Sequence, residues 1–102
     1  MRTEINGEVL QISDLRELSA TTAKLFRENA LAVFKSSQRS IDVDLSKMIF
    51  IDSCGLGALL ALQHVCHARK GRLRLKNPTR QVQQLLELTR IPQVMDVVSD
   101  CH

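Results

Sequence analysis

Aromatic residues are nearly missing from this chain of 102 residues, which has three Phe, no Trp and no Tyr. Its core must therefore be aliphatic, built from Leu, Ile, Val and Met. The same shortage weighs against nucleic-acid binding, since single-stranded bases are usually held on aromatic faces. Cysteine is sparse too: Cys54, Cys66 and Cys101 form an odd, widely spaced set that argues against a disulfide framework. No apolar run approaches the roughly 20 residues of a membrane-spanning helix. Met1-Arg2-Thr3-Glu4 lacks the apolar stretch and cleavage site of a signal peptide. A cytoplasmic protein without membrane insertion is expected. Absent as well are a phosphate loop, a dinucleotide fingerprint and a G-x-S-x-G elbow. Enzymatic activity and a cofactor are therefore not expected.

What remains is ordinary for a small globular unit: 44% hydrophobic residues, 25% charged residues and a net charge of +3. The length fits one domain over residues 1–102. Arg69, Lys70, Arg72, Arg74 and Lys76 form a basic stretch, read as a helix end followed by a strand with one solvated face.

Hydrophobic patterning gives the order of elements. A short strand near residues 3–6 turns at Gly7 into a second strand at Val9–Ile12. Ser19 is placed to cap a helix over about residues 20–36, with Ala23, Phe26, Ala30 and Val33-Phe34 on its inner face. Ile41–Leu45 alternates as a strand, and the apolar run Met48–Ile51 leads to a helix over about residues 55–69, with Gly71 as its C-terminal cap. Arg72–Leu75 reads as a further strand. Asn77-Pro78 reads as the cap and first residue of a helix carrying Val82, Leu85, Leu86 and Thr89 inward. Pro92 should end that helix, leaving Gln93–Val98 as a last strand or short helix. Strands alternating with helices imply parallel βαβ units, hence an α/β fold.

Residues 52–57, Asp52-Ser53-Cys54-Gly55-Leu56-Gly57, are where chemistry is expected. An apolar strand ends, the chain turns, and a hydroxyl stands where a helix begins. The first amides of a helix have no internal partners and carry partial positive charge. The Ser53 hydroxyl has two possible tasks there: capping the helix, or accepting a phosphoryl group that the amides stabilise. Gly55 and Gly57 keep the surroundings small, so that another protein can approach closely.

The stretch Asp44–Gly57, an apolar strand followed by D-S-C-G-L-G, resembles the signature of STAS domains, the sulphate transporter and anti-sigma factor antagonist domains. The likeness extends to Val9–Ile12, Glu17-Leu18 and Thr22-Ala23 upstream and to Arg72–Leu75, Asn77 and Val82–Leu88 downstream, nearly the whole chain. It implies a STAS-type mixed sheet of four to five strands with helices mainly on one face. It also implies a partner-binding module, a monomer or weak dimer, rather than a catalyst. In stand-alone family members, a serine kinase that doubles as an anti-sigma factor of GHKL type phosphorylates the serine after the aspartate, and a serine phosphatase reverses it. Carried over, the phosphoacceptor is Ser53, and the partner-binding surface comprises Ser19, Asp44, Asp52, Ser53, Cys54, Gly55, Leu56 and Gly57. The alternative is a small STAS subunit docking on the ATPase of an ABC-type lipid transport system without phosphorylation. The chain departs from the family pattern at Cys54, where Ser or Thr is usual. Ser19 and Arg16 likewise stand where the family's G-E-L-D segment has its aspartate and glycine.

His64, Cys66 and His67 share one helix, but His64 and Cys66 are two apart and face different directions, so no metal site is expected. Cys66 is read as core and both histidines as surface. Asp42 is placed on a solvated sheet face, and Asp44 near the site of Ser53.

Overall fold

A computed structural model describes residues 1–90 and 95–98 of the chain. Its main sheet takes five strands in the spatial order β1 (Arg2–Asn6), β2 (Val9–Ser13), β4 (Ser40–Asp44), β6 (Leu73–Lys76), β7 (Asp96–Val98). β1 and β2 form an antiparallel hairpin turned at Gly7, whose φ of 64° suits the one residue without a Cβ. The pairings from β2 to β7 are all parallel. The sheet is thus mixed, as expected. β3 (Glu17–Leu18) and β5 (Phe50–Ile51) pair in parallel as a separate two-stranded sheet. The run Met48–Ile51 belongs to that small sheet rather than to the main one, and only its last two residues are strand.

Among the described residues three helices complete the fold: α1 (Ala23–Val33), α2 (Ser53–Ala68) and α3 (Arg80–Leu88). Leu10, Ile12, Ile41, Val43, Leu73 and Leu75 alternate along their strands and meet Phe26 and Ala30 of α1, Leu59, Leu62 and Cys66 of α2, and Val82 and Leu86 of α3 in one buried cluster. Two of the three Phe lie in this mostly aliphatic core; Phe50 is about half exposed.

Several boundaries differ from the sequence reading. Ser19 does not cap α1. Residues 20–22 form a turn in which the Ser19 carbonyl accepts the amides of Thr22 and Ala23, and the helix starts only at Ala23. α1 then stops at Val33 rather than near 36. Asn77 adopts a left-handed φ of 53°, which excludes it as an N-cap; Thr79 takes that role, its Oγ1 accepting the Val82 amide. At the end of α2 the left-handed residue is Lys70, with φ 63°. The Lys70 amide bonds the His67 carbonyl and the Gly71 amide bonds that of Cys66, a Schellman closure. Gly71 is required for a different reason: a Cβ there would collide with the Arg39 carbonyl. α3 ends at Leu88, with Thr89 as its C-cap. Pro92 and Gln93 lie outside the described residues.

Asp42 corrects another expectation. Alternation does put it on the sheet face opposite the core, but Arg74, its register partner on β6, covers it with two hydrogen bonds of 2.7 and 2.6 Å. Asp42 is only 3% exposed. The rest of the basic stretch is also partly consumed internally. Arg72 pairs with Asp96. Arg69 donates to the carbonyls of Phe34, Lys35 and Gln38 and stacks on the Phe34 ring at 4.0 Å, closing the C-terminus of α1.

Candidate functional site

The small sheet builds the site. Pairing of Leu18 with Ile51, extended by the Asp52 amide donating to the Leu18 carbonyl at 3.1 Å, lays the start of α2 against the turn before α1. Asp52 then bridges the two segments. Its Oδ1 accepts the Gly55 amide at 3.1 Å and its Oδ2 the Ala20 amide at 3.0 Å. Asp52 is thereby the N-cap of α2, in extended backbone conformation. The Gly55 bond, foremost, holds its carboxyl below the ordinary value; desolvation opposes it, and the Ala20 bond adds a lesser lowering. The carboxylate therefore stays anionic at neutral pH.

Ser53 is the first helical residue and is exposed. The capping task falls to Asp52, so the Ser53 hydroxyl has no capping bond and makes no side-chain hydrogen bond among the described residues. Cys54 is an exposed free thiol. Gly55 is buried, and a Cβ on it would run into the Leu18 backbone. Its small size thus serves the internal contact of α2 with β3, not approach from outside. Leu56 is 7% exposed and belongs to the core, so it is not part of an outer binding surface. Gly57 is exposed, and nothing lies within 4 Å of where its Cβ would stand.

Ser19 lies in the turn beside Asp52, but its side chain is 6% exposed and its Oγ donates to Glu17 Oε2 at 2.6 Å. It shapes the turn and does not present a hydroxyl to a partner. Asp44 accepts the Ser46 amide at 2.9 Å, bracing the turn after β4.

A family model described as Mlab, STAS domain, matches residues 1–98. The chain belongs to the STAS domain family. STAS domains are in general non-catalytic binding modules. No curated protein matches the chain. Among solved structures, an anti-sigma-factor antagonist (STAS) domain protein from Planctomyces limnophilus is similar at a TM-score of 0.86 and 20% identity, over 98% of this chain and 90% of that one. The anti-sigma factor antagonist SpoIIAA in its unphosphorylated form is similar at a TM-score of 0.74 and 22% identity, over 99% and 88%. The Bacillus cell-fate determinant SpoIIAA in its phosphorylated form gives 0.73 and 22%, over 97% and 91%. At these identities the likeness is one of fold.

Around the STAS motif of this chain lies an open groove of about 410 Å³ between α1 and α2, lined by Ala20, Ala23, Lys24, Arg27, Cys54, Gly57 and Ala58. Lys24 and Arg27 escaped the sequence reading as site residues. Their helical spacing of three was the available signal, but that α2 lies beside them is a tertiary fact. The described residues hold no group of His, Cys, Asp and Glu able to bind a metal. Cys66 is fully buried, and burial pushes its thiol up to about 11. His64 and His67 are exposed. No helix among the described residues is long and apolar enough to cross a membrane.

Proposed function

We propose that the chain is a phosphorylation-regulated protein-binding module, a cytoplasmic anti-sigma factor antagonist-like partner-switching regulator in which residues 1–102 act as one STAS domain without catalysis of its own. Ser53 is the phosphoacceptor, a serine kinase of GHKL type that doubles as anti-sigma factor is the partner, and a serine phosphatase restores the hydroxyl. The observation that carries this reading is the exposed, uncommitted hydroxyl of Ser53 at the first turn of a 16-residue helix, next to an aspartate that already caps it.

Charge supplies the mechanism. A phosphoryl group on Ser53 adds about −1.5 to −2 charges at neutral pH. Beside it stands Asp52, kept anionic by its two amide donors. A partner closely packed on this surface would have to desolvate both anions, so modification drives release. Since Asp52, not Ser53, caps α2, the hydroxyl can be modified without removing a bond that folding needs.

Incubation with the cognate kinase and labelled ATP is expected to label wild type and leave Ser53→Ala unlabelled, while Ser53→Asp weakens partner binding. Equal labelling of Ser53→Ala, with unchanged affinity of Ser53→Asp, would refute the reading. The Mlab description of the matching family model and the departures at Ser19 and Cys54 favour one second reading: a non-catalytic subunit docked on the ATPase of an ABC-type lipid transport system. Recovery of a transporter ATPase in place of a kinase, with affinity independent of phosphorylation, would select it.

A further inference from the structure

The groove beside Ser53 has a feature that folding does not require. Glycine within a helix is destabilising relative to alanine. Gly57 nevertheless sits in the second turn of α2, where an added Cβ would meet nothing within 4 Å. Gly55 is explained by the Leu18 backbone; Gly57 has no such neighbour. A Cβ at 57 would meet no atom of the described structure and would stand on the groove wall.

The groove's charge points the same way. Among the described residues Arg2, Arg39, Lys47, Arg72 and Arg74 have carboxylate partners, whereas Arg16, Lys35, Lys70, Arg80 and Arg90 form no ion pair but line no part of this groove. Lys24 and Arg27, both exposed on the groove wall, form no ion pair among the described residues. The nearby carboxylates are engaged: Asp52 takes the amides of Ala20 and Gly55, and Glu17 takes the Ser19 and Thr21 hydroxyls. Glu28, one turn beyond Lys24 on α1, forms no ion pair with it. Two unpaired cations thus flank a trough of small residues, Ala20, Ala23, Gly57 and Ala58.

We propose that this groove seats an acidic segment of the partner protein, its backbone passing over Gly57 and its carboxylates pairing with Lys24 and Arg27. The inference rests on the reading of Ser53 as the regulated face and adds the chemistry of what docks there. A phosphoryl group on Ser53, next in sequence to Cys54 of the groove wall, competes for the same two cations and repels the acidic segment.

The test is an NMR titration of the isotopically labelled full chain with a helical peptide of about 15 residues bearing Glu along one face. Amide shifts are expected at Ala20, Lys24, Arg27 and Gly57. Binding should weaken at least about tenfold in Lys24→Glu/Arg27→Glu and in Gly57→Leu, and less in Arg27→Gln. Circular dichroism of each variant reports its folding, and the milder Arg27→Gln carries the comparison where a stronger variant unfolds. Any of four results would overturn the inference: shifts confined to Arg72–Lys76, an equal response to a Lys-rich peptide, indifference to Gly57→Leu, or groove shifts produced by phosphatidylglycerol vesicles but not by the peptide. Kinase labelling separates the two ideas. Loss of the titration with intact Ser53 labelling sinks the groove alone, and failure of labelling with an intact titration sinks the switch alone.

Discussion

The Asp52 carboxylate takes amide hydrogens from two segments: Gly55, in the first turn of α2, and Ala20, in the turn before α1. It therefore fixes the angle at which Ser53 is presented as well as capping the helix. Because its folded-state pKa is depressed, its contribution is fully present above the ordinary carboxylate value and is lost as pH falls through the folded one. Urea unfolding followed from about pH 5 to about pH 2 should show wild type losing stability more steeply than Asp52→Asn, which keeps an acceptor but has no charge to lose. Parallel acid limbs would contradict this role. Ser53→Ala, by contrast, removes no bond that the described structure uses and should leave the unfolding midpoint nearly unchanged.

At the level of elements, the two glycines of α2 should respond in opposite directions. Gly55→Ala drives a methyl into the Leu18 backbone and should cost about 3 kcal/mol, since neither strand nor helix can yield without breaking the β3–β5 pairing. Gly57→Ala adds a methyl in open space within a helix and should gain about 0.5–1 kcal/mol. Chemical denaturation of the two variants decides both signs. Cys66 supplies a second check on α2. Its thiol, raised to about 11 from 9.0 in the folded chain, stays protonated where the unfolded chain would ionise. The folded state then binds the extra proton between those values, so stability should fall as pH rises from 9 towards 11, by about 2 kcal/mol in all. Cys66→Ala should flatten that alkaline limb while lowering stability at neutral pH through the cavity it leaves.

For the whole molecule, the main sheet depends on an ion pair set across β4 and β6. Asp42 is buried against Arg74, and the two carboxylate oxygens are each bonded to the guanidinium. Removing the cation leaves a buried charge without its partner, so Arg74→Ala should destabilise the fold by about 3 kcal/mol, whereas Arg72→Ala, which loses only an exposed pair, should cost less than about 1 kcal/mol. Thermal melts of the two variants measure the difference. If they prove equal, the sheet does not rely on the buried pair.

The order of the main elements, their apolar faces and the start of a helix at Asp52-Ser53 were legible in the sequence because each is a local or periodic property. Alternation marks a strand, a period of 3.6 marks a helix, and Asp-Ser before an apolar run marks a helix start. Caps were less legible, since Ser19, Asn77 and Thr79 are all acceptable capping residues and only backbone dihedrals choose among them. Three outcomes needed the tertiary structure: Arg74 covering Asp42, the two-residue β3 pairing with β5, and the placement of Lys24 and Arg27 beside Gly57. Each joins residues far apart in the chain, and neither periodicity nor propensity carries information about which distant element will be the neighbour.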